Sequence, residues 1–324
     1  MEYSVAIRTL GSAGEKYQML LDSLNRQTIR PRKILVYIPF GYELPKETIG
    51  WEEYVRCPKG MITQRSLPFD EIDTDYILFC DDDISLESTS VQRLYDGLIA
   101  NNGDCISPNT FPVEKLSTLG KIKKAIAGYA FPRKDDGWAF KIMRNASYTY
   151  NIKPSHDVLP TESAAGPCAL VRKEAFLSIH FDDERWMEDF RFPLGEDLLF
   201  YYKLHIMGYH VFVHYNSGIC HLDAGTSSKK LPSDWIRRNV ALSFVVPYRI
   251  KYKRRNTNFE EKIACFFSFI TRFLEQWCFV FFKELITKHN FVLFDFPIGL
   301  INGYKYVHSE RYKDVPNFDA YVNE

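Results

Sequence analysis

Three consecutive carboxylates, Asp81, Asp82 and Asp83, close the apolar run Tyr76-Ile-Leu-Phe-Cys80. Aromatic and β-branched residues in such a run suit a strand buried on both faces. In an open α/β sheet the carboxyl ends of the strands border the ligand crevice. Hard oxygen donors at that place, completed by substrate phosphates, are how Mg²⁺ or Mn²⁺ is held. A solvated acidic turn or a helix N-cap would use the same residues, because Asp favours both.

A second acidic pair, Glu196 and Asp197, follows Gly195 where a helical pattern begins. A carboxylate within reach of a hydroxyl can take its proton as a transition state develops. The same pair could serve only the positive end of the helix macrodipole. His221 follows a strand-like segment and can bind a metal through a neutral imidazole, although a lone histidine also fits a core or loop position. His210 and His214 fall within a strand pattern and read as structural. Lys59 and Arg65 can contact a diphosphate, Arg with a planar fork, or can form a solvated basic turn.

The elements that must position these groups alternate. Tyr3 to Thr9 reads as a first strand, Glu15 to Gln27 as an amphipathic helix and Lys33 to Ile38 as a second strand. Residues 39–60 are rich in Pro and Gly and read as loop, and Ile62 to Ile72 as a short helix interrupted near Pro68. Ser88 to Asn101 then predicts a helix, Asp104 to Ser107 a strand, Gly166 to Arg172 a strand and Lys173 to Ile179 a helix. Leu198 to Met207 has one apolar helical face, and Tyr209 to His214 is a further strand. Residues 111–160 carry a weak pattern, expected to cross the active-site face. The alternation predicts a doubly wound, mostly parallel sheet flanked by helices, with a helical extension after a composition shift near residue 231.

The chain has 324 residues, 46% hydrophobic and 25% charged, which permits a sizeable core. Its net charge of zero gives no electrostatic argument for nucleic acid, so no nucleic-acid partner is expected. Seven scattered cysteines lack a C-x-x-C pair and read as small buried hydrophobes. The N-terminus lacks a basic segment followed by an apolar stretch, so no signal peptide and a cytoplasmic location are expected.

In order and spacing, these segments resemble the family 2 glycosyltransferases of the GT-A fold over residues 3 to 230. The triplet Asp81-Asp82-Asp83 is similar to the family's Asp-x-Asp motif, and Gly195-Glu-Asp197 to the acidic pair that supplies its catalytic base. Gly208-Tyr-His-Val looks like its Gly-Tyr strand, Lys59 to Arg65 like the segment with a donor-contacting Arg, and Gly166 to Phe176 like the strand and turn before the acceptor loop. The first strand departs from the family's Pro-Thr ending with Arg8-Thr-Leu-Gly11, and Tyr37-Ile-Pro-Phe40 lacks the Asp that reads the base.

The resemblance implies an inverting, metal-dependent, hexosyltransferase-like enzyme that moves a sugar from a nucleotide diphosphate sugar to an acceptor hydroxyl, in surface glycan or polysaccharide synthesis. It implies Asp197, with Glu196, for catalysis; Thr9, Arg65, Asp81 and Asp82 for the donor; and Asp83, with His221, for Mn²⁺ or Mg²⁺. The implied partners are a UDP-sugar and a glycan or lipid-linked acceptor. Residues 1–230 would form the catalytic domain and 231–324 an aromatic-rich helical region. A sugar nucleotidyltransferase is one alternative, for which Gly11 to Gly14 with Lys16 offers a basic loop. A membrane-associated binding protein with a degenerate transferase body is another.

That last alternative draws on the tail. Trp235 to Val246 and Ile263 to Thr287 predict two helices around a basic turn, Arg249 to Arg255. Arg272, Glu275 and Gln276 interrupt the second, which argues against a transmembrane span. Residues 235–287 either pack on the body or lie on the inner face of the cell membrane, with the turn at lipid phosphates. Phe291 to Ile301 would add a hairpin or short helix.

Overall fold

A computed structural model describes residues 1–110, 117–119, 130–191, 195–222, 233–252, 258–287 and 293–321. Its strands are β1 (Tyr3–Arg8), β2 (Ile34–Pro39), β3 (Glu53–Cys57), β4 (Tyr76–Asp81), β5 (Ile84–Leu86), β6 (Cys105–Pro108) and β7 (Ala130–Arg133). They continue with β8 (Phe140–Ile142), β9 (Tyr148–Asn151), β10 (Val158–Pro160), β11 (Cys168–Arg172), β12 (Val211–His214) and β13 (Ile219–His221). The helices are α1 (Glu15–Asn25), α2 (Met61–Arg65), α3 (Ser90–Ala100), α4 (Lys173–Ser178) and α5 (Glu196–Ile206). After these come α6 (Ser233–Pro247), α7 (Phe259–Thr287), α8 (Asp295–Val307) and α9 (Glu310–Lys313).

Eight strands form one sheet in the order β3-β2-β1-β4-β11-β6-β12-β10. Strands β3, β2, β1 and β4 run parallel, as do β6 and β12. Strands β11 and β10 run against their neighbours. The pleat sends Ala6, Leu35, Tyr37, Ile77 and Phe79 to one core and Val5, Ile7, Val36, Leu78 and Cys80 to the other. Burial on both faces explains why these strands read as unbroken apolar runs. Helices α1 and α3 cover the second face through Leu20, Leu24, Val91 and Leu94. The first face is covered by α5, a 3₁₀ segment (Phe181–Phe190) and the C-terminal helices.

This topology decides where the chemistry falls. Because β11 is reversed, its amino end meets the carboxyl end of β4, and the Asp81 amide donates to the Pro167 carbonyl at 2.8 Å. The reversed strand therefore brings Gly166 up to the acidic triplet.

Two sequence expectations need correction. The segment 39–60 contains β3, an edge strand in which only Cys57 is buried, so it lacks the apolar signal of a central strand. The helix expected to Ile72 stops at Arg65. Phe69 takes a positive φ of 49°, which no helix continues through, and buries its ring 5.0–5.3 Å from Tyr37, Phe79 and Phe176. For Phe291 to Ile301 the helix alternative holds from Asp295 onward, in α8, with Pro297 in the first turn, where its missing N–H costs nothing; residues 291 and 292 lie outside the described residues.

The C-terminal helices share the first-face core with the body, through Ala241, Val245, Tyr312 and Phe318. Helix α8 crosses α6 at Gly299, where a β-carbon would lie 2.6 Å from Val240 Cβ. A fully buried charge triad fastens the layer down. Glu184 accepts from Arg249 through both carboxylate oxygens at 2.7 Å and pairs with Lys203 at 3.1 Å. Arg249 is 1% exposed, so it cannot reach lipid phosphates as the basic-turn reading expects. Lys251 packs over the Tyr202 ring, while Lys253, Arg254 and Arg255 lie outside the described residues.

Candidate active site

Asp81 ends β4 directly beside Arg8, which ends β1 in the same register. The Arg8 guanidinium pairs with Asp81 at 2.9 Å, and Arg65, from α2, approaches the other Asp81 oxygen at 3.6 Å. Burial, and then the neighbouring Arg65, push the Arg8 guanidinium below its ordinary pKa. Asp82 accepts from the Thr9 hydroxyl, and burial raises its carboxyl above the ordinary range. Thr9 also receives the Gly11 amide, so it fixes the turn after β1 as well as the acid.

Asp83 is buried, and its carboxylate lies 3.1 Å from His221 Nε2. The antiparallel pairing of β5 with β13 sets His221 opposite Ile84, and the Leu222 amide donates to the Asp83 carbonyl at 2.7 Å. A small two-stranded ribbon thus brings together residues 138 positions apart in sequence.

Glu196 and Asp197 form the first turn of α5. The Asp197 carboxylate accepts the Gly166 amide at 3.0 Å. A β-carbon at position 166 would lie 1.7 Å from its other oxygen, so only glycine admits this approach. Glu196 lies 3.6 Å from Arg65, which therefore stands between Asp81 and the acidic pair. Burial, followed by the charge of Asp197, pushes the Glu196 carboxyl well above its usual range. Burial also raises Asp197, against the opposing pull of Arg65. In Arg65 itself the three surrounding carboxylates outweigh burial and raise the pKa.

A cavity of about 820 Å³ opens on this cluster, with Asp81, Glu196, Asp197 and His221 at one end and α6, α7 and α8 walling the other. Lys59 instead packs over the Tyr42 ring and bonds its hydroxyl. His210 contacts the Asn102 carbonyl, and His214 is buried in β12.

Arg8 and Gly166 were not singled out by type and spacing. A signal for Arg8 existed, since a lone cation ending a buried strand with no other charge demands an anion nearby. Gly166 gives no such signal, because its role follows only from the approach of Asp197.

The sheet and its acid-lined carboxyl ends define the GT-A glycosyltransferase fold, as the resemblance implied. Among solved structures, the chain is similar to GalNAc-T7 with UDP, GalNAc and Mn²⁺, with 12% identity and a TM-score of 0.51 over 81% of this chain and 53% of that one. It is also similar to S. aureus TarS, with 11% identity and a TM-score of 0.47 over 84% of this chain and 43% of that one. The chain thus spans about half the length of each. No sequence-family profile matches it, and neither does any curated protein.

Proposed function

We propose that this protein is an inverting glycosyltransferase that moves a sugar from a UDP-sugar to an acceptor hydroxyl with the help of Mn²⁺ or Mg²⁺. The observation that carries this reading is that His221, paired with Asp83, and Asp197, resting on Gly166, line one cavity.

A divalent cation fits Asp83 and His221, which together offer a buried carboxylate oxygen and an imidazole nitrogen. No group of three or more metal-ligating side chains exists among the described residues. That suits a cation completed by water and by substrate phosphates. When bound, it would neutralise the leaving diphosphate as a Lewis acid. Asp81 and Asp82, fixed by Arg8 and Thr9, orient the donor. Asp197, more basic than a free carboxylate, takes the acceptor proton as the hydroxyl oxygen bonds to the sugar carbon and the sugar–phosphate bond breaks. Attack from the face opposite the leaving group inverts the anomeric configuration. Gly166 and Arg65 position the two acids.

The exposed face of α7 supports peripheral contact with the inner face of the cell membrane, in surface glycan or polysaccharide synthesis. Phe259, Phe266, Phe267, Phe282 and Ile286 are each at least half exposed on it. Between Ile263 and Phe282 the only exposed charge is Glu275. The helix is long and apolar enough to cross a membrane by length and composition. Its other face, however, buries Phe269, Arg272 and Phe273 against the body, which favours a helix lying in the interface.

Incubation with a panel of nucleotide sugars and membrane-extracted acceptors, with and without Mn²⁺, tests the proposal. Metal-dependent release of a nucleoside diphosphate together with sugar transfer is expected. Release of pyrophosphate would support the nucleotidyltransferase reading instead. Lys16, on which that alternative leans, donates to the Leu222 carbonyl at 3.0 Å.

A further inference from the structure

Resting on the transferase reading, we infer that the acceptor is lipid-linked, a head group carrying the reactive hydroxyl on a long hydrocarbon chain. One continuous cavity runs from the carboxylates of Glu196 and Asp197 to a wall built by Trp235, Val240, Val246, Phe279, Val280 and Phe296. A free glycan has no use for so large an apolar wall, whereas a hydrocarbon chain is stabilised by leaving water there. The volume of about 820 Å³ lies toward the upper end of ligand pockets and accommodates far more than one sugar ring.

A polar atom on that wall marks where the head group passes. Asn239, on α6, lines the cavity and donates its Nδ2 to the Trp235 carbonyl at 2.8 Å. Its Oδ1 is buried and has no hydrogen-bond partner among the described residues. A buried amide oxygen left unpaired is costly, and a hydroxyl of the acceptor head group would satisfy it.

Helix α7 ties the cavity to a lipid surface. Gln276, Phe279, Val280 and Lys283 face the cavity at helical spacing, while Leu274, Phe281, Phe282 and Leu285 are exposed on the far side. The helix that walls the cavity therefore also carries, on its opposite face, the apolar surface suited to a membrane.

Photo-crosslinking of the full chain tests the inference. The probe is a diazirine-bearing long-chain alkyl glycoside, whose head group carries hydroxyls, in phosphatidylcholine vesicles, with a diazirine-bearing methyl glycoside as the soluble control. Labelling within residues 233–247, on the inner wall, is expected from the long-chain probe only. Phe279→Arg should lower that labelling at least tenfold, and Val280→Arg should repeat the effect should the first variant fold poorly. Binding of UDP with Mn²⁺, measured in parallel, should stay within twofold. Equal labelling by the soluble glycoside, or labelling of 233–247 indifferent to both substitutions, would overturn the lipid assignment. Loss of UDP binding by the unaltered protein would instead overturn the transferase reading beneath it.

Discussion

The Asp197 carboxylate rests on the backbone of Gly166, accepting its amide at 3.0 Å in a space that a β-carbon would fill. Gly166→Ala should therefore displace the carboxylate while leaving Asp83 and His221 in place. We expect nucleotide binding near normal and turnover reduced by about 10²-fold, at the lower end of what a positioned general base contributes. Asp197→Asn should cost about 10²–10⁴-fold. Initial rates of nucleoside diphosphate release check both, and a Gly166→Ala protein with undiminished turnover would remove Asp197 from the base role.

Asp83→Asn and His221→Ala address the other half of the site. Each should weaken Mn²⁺-dependent UDP binding by at least the roughly 10–100-fold typical of lost metal-site supports. Each should leave UDP binding without metal unchanged. Calorimetry in the presence of Mn²⁺ and then of chelator separates the two effects, and equal affinities for variant and parent would place the cation elsewhere.

Much of this arrangement is legible in the sequence, and the gaps have physical causes. Strands β1, β2 and β4 are largely apolar because both faces are covered, and the acids that close β4 are conspicuous for that reason. Strand β3 lies at the sheet edge, where exposed charged residues such as Glu53 and Arg56 blur the pattern. The reversal of β11 is a tertiary fact that no local propensity encodes. The Arg249 partnership has the same character: a run of basic residues reads as surface, yet the residue is buried because Glu184, 65 positions earlier, waits for it.

That triad makes a stability prediction. Glu184→Gln would leave Lys203 and Arg249 buried without their anion, at a cost of about 3–5 kcal/mol. Arg249 and Lys203 outweigh the effect of burial and hold the Glu184 carboxyl down at about 2. A depressed carboxylate stabilises the fold above the unfolded pKa of roughly 4.3, and that stabilisation is lost as pH falls through the folded value. Denaturant unfolding at neutral pH and near pH 3 should show a large gap between parent and variant in the first case and a smaller one in the second. An equal gap at both would detach the triad from this pH dependence.

Glu196 has the opposite sign. Its carboxyl is raised by burial and by Asp197, so it favours the folded state most below the unfolded pKa, and that contribution disappears as pH climbs through the folded value. Glu196→Gln removes the penalty, and the metal-free variant should melt higher than the parent at about pH 8 and nearly together with it at about pH 4. Thermal melts at the two pH values decide the matter; a variant less stable at about pH 8 would show that Arg65 stabilises the charged form more than burial opposes it.

The last prediction separates apolar insertion from charge attraction at α7. Phe267 and Phe282 are 63% and 61% exposed on the outer face of a helix whose inner face packs on the body. Complete burial of such a side chain contributes about 1.5–3 kcal/mol, and two of them are enough to change vesicle partitioning markedly. Phe267→Glu with Phe282→Glu should therefore abolish co-sedimentation with anionic vesicles while leaving the melting temperature unchanged, because neither ring belongs to the buried core. Binding through the apolar face should persist in about 0.5 M salt. Attraction through a basic turn would fade there, as the Debye length falls well below the roughly 10 Å found at 0.1 M. Arg249, committed to Glu184, contributes nothing to such attraction. Vesicle binding that survives both phenylalanine substitutions would move the membrane contact away from α7.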